Sequence, residues 1–310
     1  EAPTYTYGKA NRPPDHPDYT LELITVAVST WHDVFMWRRS RRQELYQQHL
    51  NNFNDGDPLP EDFAAPPLQD GTWNKSDHVS KLIKDGFSIS VNRNKRGKAP
   101  APLQLRQADE LAYVQQMIAD GVIEEGETDW CVPHFWLRKP GKLRLIFNGK
   151  KINAAVKKPP RFNMKSHSTI KNLAARNLYH ASDDLKNMFF SIHLQQDCRK
   201  FFGFKTSLGT YRYTRLPFGF SWSPFIAHVA IDEICKRALE AGFDLTHYLD
   251  GFHYFGKTAA EVTACREFVR NLLAEAGWRL NDSKSTPVSQ TFQALGVMYD
   301  LIMQQNLLHP

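Results

Sequence analysis

The chain has 310 residues, 39 Lys and Arg against 33 Asp and Glu, a formal charge of +6 and an isoelectric point near 9.0. That length supports one large domain or two smaller ones, and the basic balance favours polyanionic partners without naming one. No apolar run approaches the length of a bilayer span, and four cysteines (Cys131, Cys198, Cys235, Cys265) show neither zinc-ligand nor disulfide-framework spacing, which points to an intracellular, reducing compartment.

In chain order, Arg12-Pro13-Pro14-Asp15-His16-Pro17 discourages a helix and reads as extended backbone. A helix is expected over about 31–53, capped by Ser29 or Thr30, with Trp31, Val34, Phe35, Leu45, Tyr46, Leu50 and Phe53 at roughly helical spacing. Arg38, Arg39, Arg41 and Arg42 interrupt it, either as a solvated face or as a surface for phosphate or an acidic protein. Asp55 to Asp70, with four prolines, reads as an extended linker, so residues 1–103 form an N-terminal extension with one long helix. A helix and a hairpin follow over 104–160. Strands are expected at 178–181, 190–194, 200–205 and 211–216, and helices at about 223–241 and 259–276. Thr246–Leu249 and Phe252–Phe255 flank Asp250-Gly251, an Asp-Gly hairpin signal in which Gly251 supplies the positive φ. Antiparallel strands packed on helices make an α+β domain.

Several stretches carry chemistry in a fixed order: Ala112 to Glu124, Trp130 to Leu145, Ile152-Asn153, Ser182-Asp183-Asp184 to Ile192, Leu216-Pro217-Phe218-Gly219 to Phe225, Tyr248-Leu249-Asp250-Gly251, Asn281 to Ser285, and Ala294-Leu295-Gly296-Val297. Together they resemble the fingers and palm of retroelement reverse transcriptases of the long-terminal-repeat or tyrosine-recombinase type. The resemblance implies a right-hand polymerase fold, with 104–160 fingers-like and 161–310 palm-like. Only nine residues follow Leu301, so no thumb is expected.

The resemblance assigns roles to particular residues. Asp184 and Asp250 stand where catalytic metal ligands belong, while Gly251 replaces the third carboxylate. Asp184 fits better than Asp183, because neighbours on a strand face opposite ways. Arg144, Phe189 and Lys284 match nucleotide-binding positions, although Asn148-Gly149-Lys150 departs from the usual acidic-aromatic-Arg run. Lys139, Lys142, Lys157, Lys158, Arg161, Arg38 and Arg42 are candidate contacts for nucleic acid. Two carboxylates supply less charge than two divalent ions need, so the expectation is at most a single Mg²⁺ ion and, as the better-supported reading, none. The histidines, His247 and His253 included, show no metal-ligand grouping with Cys or acidic neighbours.

The leading functional expectation is a domesticated, catalytically degenerate relative, a pseudoenzyme that serves as an RNA-binding or structural subunit of a larger ribonucleoprotein or protein assembly. Its partners are then RNA, several protein subunits or both, in an organellar (mitochondrial) or nuclear particle. Two alternatives stay open: an active RNA-directed DNA polymerase present as a fragment or inactivated form, and a purely protein-binding scaffold.

Overall fold

A computed structural model describes residues 62–303, apart from positions 163, 165 and 166. The helix expected over 31–53, and with it Arg38 and Arg42, lies outside the described residues. The chain divides into two units. One comprises 59–137 and 143–310 and holds the architecture below. The other comprises 1–58 and 138–142, of which 138–142, the tip of a hairpin, is described; Lys139 and Lys142 are exposed there, and Gly141 turns the chain at φ 65°.

Helix α1 (Asp77–Asp85) starts at Ser76, whose side chain accepts from the Val79 amide. Helix α2 (Ala108–Ala119) is fastened by Glu110, whose carboxylate accepts the amides of Arg106 and Gln107 at 2.8 and 3.3 Å. Strands β1 (Ile123–Glu125), β2 (His134–Lys139) and β3 (Lys142–Phe147) follow, then the short helix α3 (Lys150–Ala155) and α4 (His167–Ala174). The central strand is β4 (Tyr179–Lys186). After it come α5 (Gln196–Arg199), β5 (Gly203–Lys205) and β6 (Thr210–Tyr213), which joins β5 and β1 in a three-stranded sheet.

The second half supplies helix α6 (Ser223–Glu240), strands β7 (Asp244–Tyr248) and β8 (Gly251–Gly256), helix α7 (Ala259–Ala276) and strands β9 (Arg279–Leu280), β10 (Thr286–Ser289), β11 (Thr291–Ala294) and β12 (Val297–Asp300). A five-stranded sheet runs β10-β4-β8-β7, with β9 pairing on β4. Helix α6 packs against β7, and α7 against β8 and β4. This is the expected antiparallel sheet on helices. Pro224 occupies the first turn of α6, where its missing amide hydrogen is harmless. Thr258 caps α7 by accepting from Glu261, and Gly277, at φ 85°, ends it.

The alternation of β8 explains where the core sits. Phe252 and Tyr254 are fully buried against the helices, each contributing about 2–3 kcal/mol of apolar burial. Phe255, on the other face, joins Ile170, Leu173, Phe292, Tyr299 and Leu301 in a second cluster beneath the β11–β12 hairpin. Phe63, Leu68 and Trp73 are buried in the main core, with the Leu68 and Gln69 amides donating to Ser191 and Ala276. The Pro-rich stretch is therefore extended but anchored where it is described.

One expected strand is absent. Residues 190–194 form a 3-10 turn, Met188–Ser191, followed by isolated bridges at His193 and Leu194. Asn187 at φ 54° reverses the chain directly after β4, and three successive aromatic or sulfur side chains are buried by that turn instead of by strand pairing.

Candidate active site

Strand β4 separates its two adjacent aspartates by the ordinary twofold alternation of a strand. Asp183 points toward α7 and is buried. Arg266 and Arg270, four apart on α7, both grip it: Arg270 donates at 2.8 and 2.7 Å, Arg266 at 3.1 and 2.5 Å. Burial opposes ionisation of Asp183, but hydrogen bonds from Arg270 and Arg266 outweigh it and hold the carboxyl well below its usual range. Asp183 is a fastening between sheet and helix.

Asp184 points the other way, its side chain 20% exposed, and pairs across the sheet with Gly251. The β7–β8 hairpin closes at the Tyr248–Gly251 pair, so its two-residue turn is Leu249-Asp250. The expected turn at Asp250-Gly251 is thus displaced by one residue. Gly251 is the first strand residue, and the positive φ falls on Leu249, at 52°. Such a conformation costs a branched residue about 1–2 kcal/mol. Packing of the Leu249 side chain against the core offsets that cost. The turn is tied to β4 by the Leu185 amide, which donates to the Asp250 carbonyl at 2.8 Å.

Asp250 stands beside Asp184 at this turn. Burial first, and the neighbouring Asp184 charge second, push its carboxyl up, against the pull of Lys284. Lys284 comes from the 3-10 turn Asp282–Lys284 and places its ammonium on Asp184 at 2.5 Å. That hydrogen bond, above all, raises the lysine, while the nearby charge of Arg144 on β3 opposes it. The fold therefore brings Asp184, Asp250, Lys284 and Arg144 into one neighbourhood. Phe189 lies in the 3-10 turn behind β4, buried, its ring 4.7 Å from that of Phe218.

The Leu216 to Phe225 stretch is shaped by backbone contact. A side chain on Gly219, at φ 92°, would meet the Phe147 carbonyl at 2.6 Å, and one on Gly149 would collide with the Gly219 carbonyl. Asn153 clamps the same loop, donating to the Gly219 carbonyl and accepting from the Ser221 amide, both at 2.9 Å. The departure Asn148-Gly149-Lys150 thus has a steric reason: this loop leaves no room for a side chain at 149.

Gly251 is different. A Cβ there would lie 3.7 Å from Asp184 Oδ1 and 4.0 Å from His253 Nε2, which is ordinary contact. Nothing in the backbone requires glycine at that position. The donor set does not fit a pair of divalent ions: Asp184 and Asp250 are the two carboxylates at the turn, and Asp184 carries a lysine ammonium.

Among the candidate nucleic-acid contacts in the larger unit, Lys157, Lys158 and Arg161 are exposed on the segment between α3 and α4. The Lys157 carbonyl accepts from the Trp222 indole at 2.6 Å, which fixes that segment to the start of α6.

The expectation that no histidine groups with acidic neighbours is overturned. His228 and Asp232 on α6 and His247 on β7 converge, their potential ligand atoms within 4.8 Å of one another. The i, i+4 spacing of His228 and Asp232 was a legible signal. The third member arrives only through the packing of β7 on α6.

An antiparallel sheet on two helices, with Asp184 on its central strand and Asp250 at a hairpin turn beside it, defines a palm of the polymerase class. The sequence profile described as "Reverse transcriptase (RNA-dependent DNA polymerase)" matches residues 137–299, and the chain belongs to that family. It is 24% identical over 273 residues to a putative enzymatic polyprotein of Cassava vein mosaic virus, covering 81% of this chain and 40% of the relative. It is 30% identical over 126 residues to the retrovirus-related Pol polyprotein from transposon 412 of Drosophila melanogaster, covering 38% of this chain and 10% of the relative. A foamy viral protease-reverse transcriptase solved in complex with an RNA/DNA hybrid shares the fold, at TM-score 0.58 and 19% identity, over 83% of this chain and 35% of that one. The chain thus spans well under two thirds of these relatives. Among the described residues, no helix is long and apolar enough to cross a membrane.

Proposed function

We propose that this chain is a domesticated reverse-transcriptase fold that no longer performs nucleotidyl transfer and serves as an RNA-binding subunit of a larger assembly. The observation that carries the reading is Gly251: the position across from Asp184 lacks a carboxylate. Phosphoryl transfer by two metals needs carboxylates that bridge both ions, and this arrangement offers too few. The palm is otherwise kept, which fits a protein valued for its shape and surface. Exposed Lys157, Lys158 and Arg161 supply the sequence-independent phosphate contacts that RNA binding requires.

Primer extension by the full chain on an RNA template, with Mg²⁺ or Mn²⁺, tests the loss of chemistry. No extension is expected, and extension by the unmodified chain overturns it. RNA affinity measured across salt concentrations tests the second half. Charge reversal at Lys157, Lys158 and Arg161 is expected to weaken binding by about tenfold or more and to flatten the salt dependence. Unchanged affinity removes that patch from the proposal, and absence of RNA binding in the parent chain turns the reading to a protein-binding scaffold. A second reading, a polymerase disabled by one substitution, is favoured by the open space at Gly251. Extension gained by Gly251→Asp establishes it.

A further inference from the structure

The geometry points to a second metal site, unrelated to the Asp184 and Asp250 pair, in which His228, Asp232 and His247 bind a late first-row divalent ion, Zn²⁺ being the natural occupant. Two imidazoles and one carboxylate are donors suited to such ions, and three protein ligands leave a further position for water. Mg²⁺, which prefers an all-oxygen shell, is a poor match.

Two independent observations support the site. The first is convergence: ligand atoms from three residues lie within 4.8 Å of one another, two of them held on one face of α6 by their spacing of four. Ligands of a tetrahedral zinc sit about 3.4 Å apart, so closure requires small side-chain rotations and no backbone movement. The second is the state of His247. It is 1% exposed, and its Nε2 has no hydrogen-bond partner. That nitrogen lies 3.9 Å from Asp232 Oδ1, close enough to share an ion and too far for a hydrogen bond. The other ring nitrogen, Nδ1, donates to the Leu249 carbonyl at 3.4 Å. A proton on Nδ1 leaves the Nε2 lone pair free toward the cluster, the tautomer a metal-binding histidine uses. The His228 ring is stacked on that of His247 with centroids 4.7 Å apart, and Lys236 reaches the far oxygen of Asp232 at 3.5 Å, leaving Oδ1 on the side of the imidazoles.

The consequence is structural. An ion at this site joins α6 to β7 immediately before the Leu249-Asp250 turn, and through His247 it bears on the residue with the positive φ. Zinc there steadies the hairpin that carries Asp250. This inference stands whether or not the proposed function does.

Titration of the full, metal-stripped chain with Co²⁺, a spectroscopic substitute for zinc, is the test. The expected result is one equivalent per chain with visible ligand-field absorption, displaced by Zn²⁺ and unaffected by excess Mg²⁺. His228→Gln and Asp232→Asn, both at partly exposed positions, are expected to abolish it, while Asp184→Asn with Asp250→Asn leaves it intact. Addition of Zn²⁺ is further expected to slow amide exchange over residues 247–251 in the parent chain and not in His228→Gln. Absence of the band, its survival in both cluster variants, or a sulfur-to-cobalt charge-transfer band that assigns the ion to cysteine, each overturns the site.

Discussion

The two faces of β4 carry neighbouring aspartates with opposite fates. On the inner face, Asp183 is buried and held by four hydrogen bonds from two arginines that α7 presents four residues apart. On the outer face, Asp184 is partly exposed and meets one lysine whose side chain is 58% exposed. The inner pairing secures the fold, and the outer face is where the family's chemistry belongs. On the outer face Gly251 stands across from Asp184, and a Cβ there would meet nothing closer than 3.6 Å.

The largest effect should come from the inner face. Asp183→Asn leaves two guanidinium groups against a neutral amide at a buried site, and unpairing buried charge typically destabilises by about 3 kcal/mol or more. Denaturant unfolding should show a midpoint shift of that size, whereas Asp184→Asn should change stability by about 0.5 kcal/mol at most. Equal effects at the two positions would break the comparison.

The faces should also separate by pH. His180 and His253 lie on the outer face, their ring nitrogens 3.0 Å apart, under the β11–β12 hairpin, where His180 stacks on Phe292. Burial pushes His253 down to about 4 and His180 to about 2. Both folded values lie below that of a free histidine, so the unfolded chain binds more protons. Stability is therefore full above about pH 6.5 and falls as pH drops toward 4. Asp183 is also depressed, but relative to a carboxylate, so its contribution persists to about pH 4 and is lost only below it. Urea unfolding at pH 7 and pH 5 should show a loss to which each such histidine contributes on the order of 2 kcal/mol, and His253→Gln removes its own share. His134 and His193, both pushed to about 4 by burial, act in the same window and retain the rest. A flat profile over this window would mean that the histidines are hydrated.

Next in size is Gly251→Asp. The new carboxylate joins Asp184 and Asp250, and like-charge repulsion in a water-like dielectric should lower stability by about 1 kcal/mol in chelator. Mg²⁺ should reverse the loss in the variant and leave the parent chain unmoved. Thermal unfolding with and without Mg²⁺ reads both, and equal Mg²⁺ responses would show that the third carboxylate is not what the site lacks.

The order of the palm was legible because its motifs keep fixed spacings and its helices keep their period; the helix expected at 259–276 forms over those residues. Alternation along β4 correctly separated Asp184 from Asp183. Sequence reasoning went wrong where backbone conformation depends on register. The Asp-Gly signal predicted the turn one residue late, because pairing of Tyr248 with Gly251 moves the turn to Leu249-Asp250. At Gly149 the sequence showed only a departure from the usual run, and the steric reason, the nearby Gly219 carbonyl, appears only in the fold. Arg266 and Arg270 were invisible as partners of Asp183, since only the docking of α7 on β4 brings them together. His247 joined His228 and Asp232 for the same reason.

The smallest effect is the most exacting test of the comparison. Lys284 and Asp184 form a short ion pair, but the lysine is largely solvated, so screening leaves a modest net interaction. A double-mutant cycle with Lys284→Met and Asp184→Asn should give a coupling of about 0.5 kcal/mol at low salt, fading toward zero in high salt. The corresponding cycle of Arg270→Met with Asp183→Asn should be several times larger and far less sensitive to salt, because Asp183 is shielded from solvent. Should the outer pair prove as strong and as salt-resistant, Lys284 is a structural replacement for a metal ion. Should it be weak, the lysine is a mobile cation that an ion at Asp184 and Asp250 can displace.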